Sequence, residues 1–204
     1  LKQCIQKFGN ILSQAYGMTE ALGVTQLTDC DHHIEGERSR LLASAGKPML
    51  CAEVDIFDEH DKPVGTGEIG EIVIRGRHVM TGYWKNPELT KQTLRGGWYH
   101  SGDMGYMDAE GYLFLVDRKA DMIVTGGENV YPKEVEDVLY EHPAVSMAAV
   151  VSAPDAKWGE RVQAVVVLKK DKSATESELI AFCKKRLGGY KCTKSIEFWE
   201  ALTT

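Results

Sequence analysis

The chain has 204 residues, 43% of them hydrophobic, which is enough for one or two domains with real cores. Its formal net charge of −6 argues against general binding to nucleic acid or to an acidic membrane surface. Five cysteines (Cys4, Cys30, Cys51, Cys183 and Cys192) form no CxxC pair, which fits free thiols in a reducing, cytoplasmic setting better than a disulfide frame or a zinc site.

Residues 2–8 read as a helix, with Ile5 and Phe8 apolar and Gly9 as the stop. Residues 11–16 read as a short strand that ends in Gly17-Met18-Thr19-Glu20. Residues 28–40 are polar, and the His32-His33 pair there reads as solvated loop, since a metal site would need further ligands at set spacing. Residues 50–116 are β-patterned: Glu53-Val54-Asp55-Ile56-Phe57 and Glu71-Ile72-Val73-Ile74-Arg75 both alternate. Asn86 caps and Pro87 opens a short helix to about Leu94. Asp108-Ala109-Glu110-Gly111 makes a hairpin turn between Tyr106-Met107 and Tyr112-Leu113, so the whole stretch suggests a small barrel or sandwich.

The organising stretch is residues 117–132. Charged residues precede Met122-Ile123-Val124, Gly126-Gly127 permits backbone that a Cβ would forbid, and Pro132 opens a helix with Glu134, Glu136 and Asp137 at its positive end. The stretch reads as a domain junction followed by a loop that admits a ligand, or as a solvated turn before an ordinary strand. Beyond it, Val135, Val138 and Leu139 share a helix face, and residues 145–151 and 161–168 are β-rich. Thr175-Glu176-Ser177-Glu178 is a capping box whose helix is expected to stop at Gly188-Gly189, and residues 195–199 make a last strand. The fold class expected is α+β in two domains, residues 1–117 with a distorted β-barrel and residues 118–204 as a compact α+β unit with a three-stranded sheet and helices.

Gly65-Thr66-Gly67-Glu68-Ile69-Gly70 matches GxGxxG, but it leads into a strand rather than a helix and so reads as a turn. Tyr16-Gly17-Met18-Thr19-Glu20 combines an aromatic ring, a glycine, a hydroxyl and a carboxylate at a strand end. These are parts that could stack a base, touch a phosphate and hold Mg²⁺ through oxygen, or simply form a loop. Asp103 follows Ser101-Gly102 and reads either as an acceptor for two ribose hydroxyls or as a turn-capping residue. Tyr83 and Trp84 read as packing residues, and Lys85 and Lys91 as solvated.

Taken in order, Tyr16-Gly17-Met18-Thr19-Glu20, Gly67-Glu68-Ile69-Gly70-Glu71-Ile72, Thr81-Gly82-Tyr83-Trp84, Ser101-Gly102-Asp103, Asp117-Arg118 and Gly126-Gly127-Glu128-Asn129 closely resemble the adenylate-forming acyl-CoA synthetases. That family includes fatty-acyl and aryl-acid CoA ligases and luciferase, and the likeness runs from about Gln14 to the last residue. The resemblance implies that residues 1–117 are the C-terminal part of a large adenylate-forming domain and that residues 118–204 are a mobile C-terminal domain. In such enzymes a carboxylic acid attacks the α-phosphate of ATP to give an acyl-adenylate and pyrophosphate. The C-terminal domain then rotates, and the thiol of coenzyme A displaces AMP. Carried onto matching positions, Tyr16 would stack on adenine, Thr19 would bind the α-phosphate, Glu20 would ligate Mg²⁺, and Asp103 and Arg118 would hold the ribose. Gly126 and Gly127 would line the pantetheine path, while Trp158, Tyr190 and Lys194 resemble positions that touch the nucleotide end of coenzyme A. The basic run Lys184, Lys185, Arg186, Lys191 and Lys194 would supply a positive patch for that polyanion, or else it is a lysine-rich surface.

The sequence also departs from that pattern. It begins with Leu1 rather than Met and is expected to be a piece of something longer. The phosphate loop that lies upstream in relatives is missing, and Thr204 falls where a terminal lysine run would begin. Ala120 stands at a hinge position usually held by Asp or Lys. The polypeptide alone is therefore expected to be inactive. No apolar run reaches the roughly 18 residues of a membrane span, there is no signal-peptide pattern, and partners are expected to be the acid, ATP and coenzyme A, with a homo-oligomer left open. The other readings are a peptide-synthetase-type adenylation domain, an acyl-AMP ligase that does not use coenzyme A, and a non-catalytic interaction module.

Overall fold

Helix α1 (Lys2–Phe8) buries Ile5 and ends at Gly9, whose φ of 77° suits a residue without a side chain. This computed structural model describes residues 1–202. Strands β1 (Gln14–Met18) and β2 (Ala21–Leu27) pair antiparallel, leaving Thr19 and Glu20 at the tip of the hairpin, and β3 (Lys47–Pro48) adds to the other side of β2. The stretch before β3 is not an open loop: it winds into two short 3-10 turns, Asp29–Asp31 and Glu37–Ala43. His32, expected in solvent, is only 4% exposed.

Next come β4 (Glu53–Phe57), β5 (Gly70–Arg75), α2 (Pro87–Thr93), β6 (Leu94–Arg95), β7 (Trp98–Met107) and β8 (Leu113–Arg118). The strands form one five-stranded sheet in the order β4-β5-β7-β6, with β8 also on β7. The small barrel expected from the sequence is thus an open, curled half-barrel. The residues before β5 form the turn read from their glycines, and Glu68 Oε2 accepts the Gly65 N–H at 2.7 Å inside it. Asn86 caps α2 by accepting the Leu89 N–H at 3.1 Å, a contact worth about 1 kcal/mol. Ile72 and Ile74 of the central strand pack with Val24, Tyr99 and Leu113, and truncating either isoleucine to Ala would cost about 2–5 kcal/mol.

The chain divides into two compact units, one ending at Val116 and the other beginning at Asp117. The second contains β9 (Ile123–Thr125), β10 (Glu128–Val130), α3 (Pro132–Tyr140), β11 (Val145–Asp155), β12 (Gly159–Leu168), α4 (Glu176–Lys184) and β13 (Ser195–Phe198). Its sheet has five strands, in the order β10-β9-β12-β11 with β13 parallel to β12. The three strands expected are β11, β12 and β13. The other two are a hairpin that the pattern disguised as one strand and a loop, because each arm has only three residues. Val135 and Leu139 of α3 and Leu179 and Cys183 of α4 pack together with Val162, Ala164 and Val166 of β12. Helix α4 stops at Lys184, not at Gly188-Gly189. The carbonyl of Cys183 already receives the N–H groups of Arg186 and Leu187, so no left-handed glycine cap is needed. Among the described residues no helix is long and apolar enough to cross a membrane.

Candidate nucleotide and thiol sites

In the first unit the hairpin of β1 and β2 is irregular. Tyr16 pairs with Thr25 and Met18 with Ala21, so β2 carries the extra residues and closes over Gly17. A Cβ at Gly17 would lie 2.9 Å from the backbone nitrogen of Gly23, which excludes any larger side chain there without a shift. Tyr16 thereby projects from one arm while Thr19 and Glu20 stand at the tip, Thr19 exposed and Glu20 partly so.

Asp103 comes from a wider irregularity. Glu71 of β5 pairs with Met104 of β7, and Val73 with His100, so Ile72 alone faces Ser101, Gly102 and Asp103. Gly102 takes a φ of 74°, and its N–H donates to Glu71 Oε1 at 3.2 Å. The Ser101 hydroxyl donates to the Ile72 carbonyl at 2.7 Å and accepts the Asp103 N–H at 3.1 Å. Bulges of this kind re-aim side chains. Here the result is that the Tyr16 hydroxyl donates to Asp103 Oδ2 at 2.7 Å. Burial pushes the Tyr16 phenol well above its ordinary pKa, and the Asp103 carboxylate adds to the shift, so the hydroxyl stays a donor.

Glu20 has a partner that the sequence did not suggest. The backbone N–H of Met80 donates to the Glu20 carbonyl at 2.8 Å, and residues 79–83 thereby cross the hairpin tip. This brings the Tyr83 hydroxyl to Glu20 Oε1 at 3.0 Å. Burial, and then the Glu20 carboxylate, raise the Tyr83 phenol above its usual value. Tyr83 was expected to pack, and no local signal distinguishes a packing tyrosine from one that holds a carboxylate 63 residues away. Trp84, also expected to pack, is 88% exposed. Among the described residues no group of three or more His, Cys, Asp or Glu is arranged to hold a metal ion.

In the second unit Arg118 is exposed at the end of β8. The preceding Asp117 was given no role by the sequence, yet its Oδ1 accepts the Arg118 N–H and its Oδ2 the Lys133 N–H in the first turn of α3, both at 2.8 Å. A carboxylate at a helix N-terminus is favourable there, and it ties the arginine's backbone to α3. Ala120 lies in the turn that follows, closed by the Asp121 N–H on the Arg118 carbonyl at 3.1 Å.

Gly126 and Gly127 form the turn between β9 and β10 with φ of 61° and 86°, the pair of positive values that a two-residue hairpin of this hand requires. The Gly126 N–H donates to the Trp158 carbonyl at 3.1 Å, and a Cβ at Gly126 would come within 2.7 Å of the Trp158 ring. Trp158 is presented by Asp155, whose Oδ1 accepts the N–H groups of Lys157 at 2.8 Å and Trp158 at 2.9 Å. Around this contact lies a cavity of about 290 Å³ lined by Thr125, Gly126, Glu128, Trp158, Gly189, Tyr190 and Lys194. Four of the five residues singled out for a coenzyme A site therefore surround one cavity, and Gly127 is the next residue along the turn. Lys194 reaches back to the Gly189 carbonyl at 3.3 Å, and Trp158 and Tyr190 are each about half exposed. Of the rest of the basic run, Lys191 pairs with Glu134 at 2.8 Å and Arg186 with Glu141 at 3.0 Å, so Lys194 is its cationic member at the cavity.

Residues 1–84 match the model of the AMP-binding enzymes, and residues 134–204 match that of the AMP-binding enzyme C-terminal domain. The chain belongs to the AMP-binding enzymes. It is 45% identical over 210 residues to a medium/long-chain-fatty-acid–CoA ligase of Mycobacterium tuberculosis, covering 99% of this chain and 36% of that protein. It is 46% identical over 191 residues to a feruloyl-CoA synthase of Amycolatopsis sp, covering 94% of this chain and 38% of the other. Among solved structures, the o-succinylbenzoate CoA synthetase of Bacillus subtilis in complex with its acyl-adenylate intermediate superposes with a TM-score of 0.86 at 37% identity, over 99% of this chain and 40% of that one. The amide bond synthetase McbA of Marinactinospora thermotolerans gives 0.88 at 38% identity, over 99% and 41%. The chain thus spans well under half the length of the relatives it matches. Thr203 and Thr204, next to the expected terminal lysine run, lie outside the described residues.

Proposed function

We propose that this chain is the nucleotide-holding and thiol-accepting portion of an acid–CoA ligase. The acid is fatty or aryl, since relatives of both kinds stand at similar identity. In the first half-reaction an acid oxygen attacks the α-phosphorus of ATP and pyrophosphate leaves. In the second, the thiol sulfur of coenzyme A attacks the acyl carbon and AMP leaves. Tyr16 offers a ring face to adenine and its hydroxyl orients Asp103, whose other oxygen accepts from the ribose. Arg118 is a second ribose contact. Thr19 binds the α-phosphate, and Glu20 holds Mg²⁺, which when bound neutralises phosphate charge. Such a reaction needs positioning and charge neutralisation more than a protein nucleophile, and the residues assembled here supply those.

The observation that carries the coenzyme A step is the cavity at the β9–β10 turn: glycine backbone on one wall, two half-exposed aromatic rings and one lysine. Glycine lets an extended thiol arm approach the main chain, while Trp158, Tyr190 and Lys194 suit a flat, anionic nucleotide end. Titrating the chain with coenzyme A tests this directly. The indole resonance of Trp158, identified by its loss in Trp158→Phe, should shift saturably, and binding without any change at Trp158 would count against the site. Pyrophosphate release by the full-length protein against a panel of acids then identifies the substrate, whereas the 204-residue chain is expected to show no ATP–pyrophosphate exchange of its own. The setting proposed is cytoplasmic, supported by five cysteines that are all free thiols.

A second reading is acyl transfer to an amine after adenylation, and the similarity to an amide bond synthetase supports it. It predicts that the adenylate forms while coenzyme A leaves Trp158 and Tyr190 undisturbed.

A further inference from the structure

Strand β5 is buried along Gly70–Ile74, and its neighbours Ile72, Val73 and Ile74 are fully enclosed apolar side chains. Glu71 sits among them with only 6% of its surface exposed. A buried carboxylate is costly unless it is paired and hydrogen-bonded, and this one is surrounded by partners. Its Oε2 meets His100 Nδ1 at 3.3 Å and Arg95 Nη2 at 3.5 Å. Arg95 is itself held by Asp61 through bonds of 2.9 and 2.8 Å. The remaining oxygen, Oε1, accepts the Gly102 N–H at 3.2 Å.

That last bond lies inside the bulge. Where Ile72 alone faces Ser101, Gly102 and Asp103, the ladder cannot supply partners for every peptide group. Two side chains replace it: the Ser101 hydroxyl, which bridges the Ile72 carbonyl and the Asp103 N–H, and the Glu71 carboxylate. The Gly102 peptide is also the one at left-handed φ, so its orientation decides which way the next side chain leaves the strand. The next side chain is Asp103.

We propose that Glu71 is a positioning residue for Asp103, fixing the Gly102 peptide so that the Asp103 carboxylate is aimed at Tyr16 and at the ribose of a bound nucleotide. The inference rests on the reading of Asp103 as the ribose ligand. Arg95 and His100 act behind it by holding the Glu71 side chain in one orientation.

The test compares AMP with 2′,3′-dideoxy-AMP, which lacks the two hydroxyls, by calorimetric titration of the chain. The unsubstituted chain should prefer AMP by about tenfold or more, the worth of hydrogen bonds to a charged group. Asp103→Ala should remove most of that preference, leaving what Arg118 contributes. Glu71→Ala should reduce it nearly as far, with the double variant no worse than Asp103→Ala alone, because both act through one carboxylate. Glu71→Gln keeps an oxygen for the Gly102 N–H and should retain most of the preference. If Glu71→Ala does not fold, Ser101→Ala removes the other fastener of the same bulge and carries the same expectation. A folded Glu71→Ala or Ser101→Ala chain that still prefers AMP as strongly as the unsubstituted one overturns the positioning role alone. No preference in the unsubstituted chain, or one left undiminished by Asp103→Ala, overturns the reading of Asp103 as a ribose ligand and this proposal with it.

Discussion

The Tyr16 hydroxyl donates to Asp103 Oδ2 at 2.7 Å, joining two positions 87 residues apart in the sequence. Two separate irregularities produce that contact, one at the β1–β2 hairpin and one in β7. Tyr16→Phe keeps the ring for stacking but releases the carboxylate. A hydrogen bond to a charged group is worth about 1.5–3 kcal/mol, and partial exposure brings this one toward the lower figure. AMP affinity should therefore fall about tenfold and the thermal transition should drop by several degrees, since the bond also belongs to the unliganded fold, while Tyr16→Ala, which also removes the ring, should lose more affinity. Equal losses in the two variants would mean that the ring contributes nothing.

The bond from Tyr83 to Glu20 makes a separate prediction. Tyr83→Phe leaves the packing of the ring and removes only the hydroxyl that holds Oε1. Binding of Mn²⁺ in the presence of ATP, followed by electron paramagnetic resonance, should then require about 3- to 10-fold more metal. Affinity for AMP without metal should stay unchanged. A shift in both would assign Tyr83 to the fold of the hairpin tip and not to Glu20.

What was legible in the sequence was what neighbours decide. Asn86-Pro87 specified the start of α2 through a cap three residues away, and Asp108 at the β7–β8 turn accepts the N–H groups of Glu110 and Tyr112 as its position suggested. What was illegible depended on partners far along the chain. The Ser101-Gly102-Asp103 bulge needs Glu71, 31 residues before Gly102, and the hold on Glu20 needs Tyr83, 63 residues on. The end of α4 is a different case, set by carbonyl bonding three and four residues back and not by the later glycines. The candidate site divides the same way. The residue types in Tyr16-Gly17-Met18-Thr19-Glu20 suggested nucleotide chemistry by themselves, whereas Trp158, Tyr190 and Lys194 carried no local signal and were singled out only through family resemblance. Their shared cavity with Gly126 arises because β12 begins directly beside the β9–β10 turn, a pairing of Gly159 with Thr125 that spacing does not encode.

That pairing makes Gly126 sensitive to substitution. Gly126→Ala places a methyl 2.7 Å from the Trp158 ring at a φ of 61°, so the ring must move and the backbone is strained. The strain alone costs about 1 kcal/mol, which for a unit of this size lowers the midpoint of thermal unfolding by roughly 4–8 °C. Coenzyme A affinity should fall by a larger factor than AMP affinity, since the displaced ring lines the cavity proposed for coenzyme A and Tyr16 and Asp103 do not line it. Gly127→Ala meets no neighbour within 4 Å and should show the backbone cost without the displaced ring. Equal loss of coenzyme A binding in the two variants would dismiss Trp158 as the reason.

The same tryptophan should respond to acid through Asp155. The backbone N–H groups of Trp158 and Lys157 hold the Asp155 carboxyl below the usual carboxylate range. A carboxyl lowered in the folded chain adds stability above its unfolded pKa, near 3.9, and loses it as pH falls through the lower folded value. The seat of Trp158 should therefore be constant from neutral pH down to about 4 and loosen only below that. Its indole resonance, followed between pH 7 and about 2.5, reports the change directly. Asp155→Asn keeps one acceptor oxygen but cannot titrate in this range, so the acid step at Trp158 should disappear. Asp155→Ala should show the loosened resonance already at neutral pH, together with weaker coenzyme A binding. If Asp155→Asn retains the acid step unchanged, another group titrates beneath Trp158 and Asp155 is only the turn's scaffold.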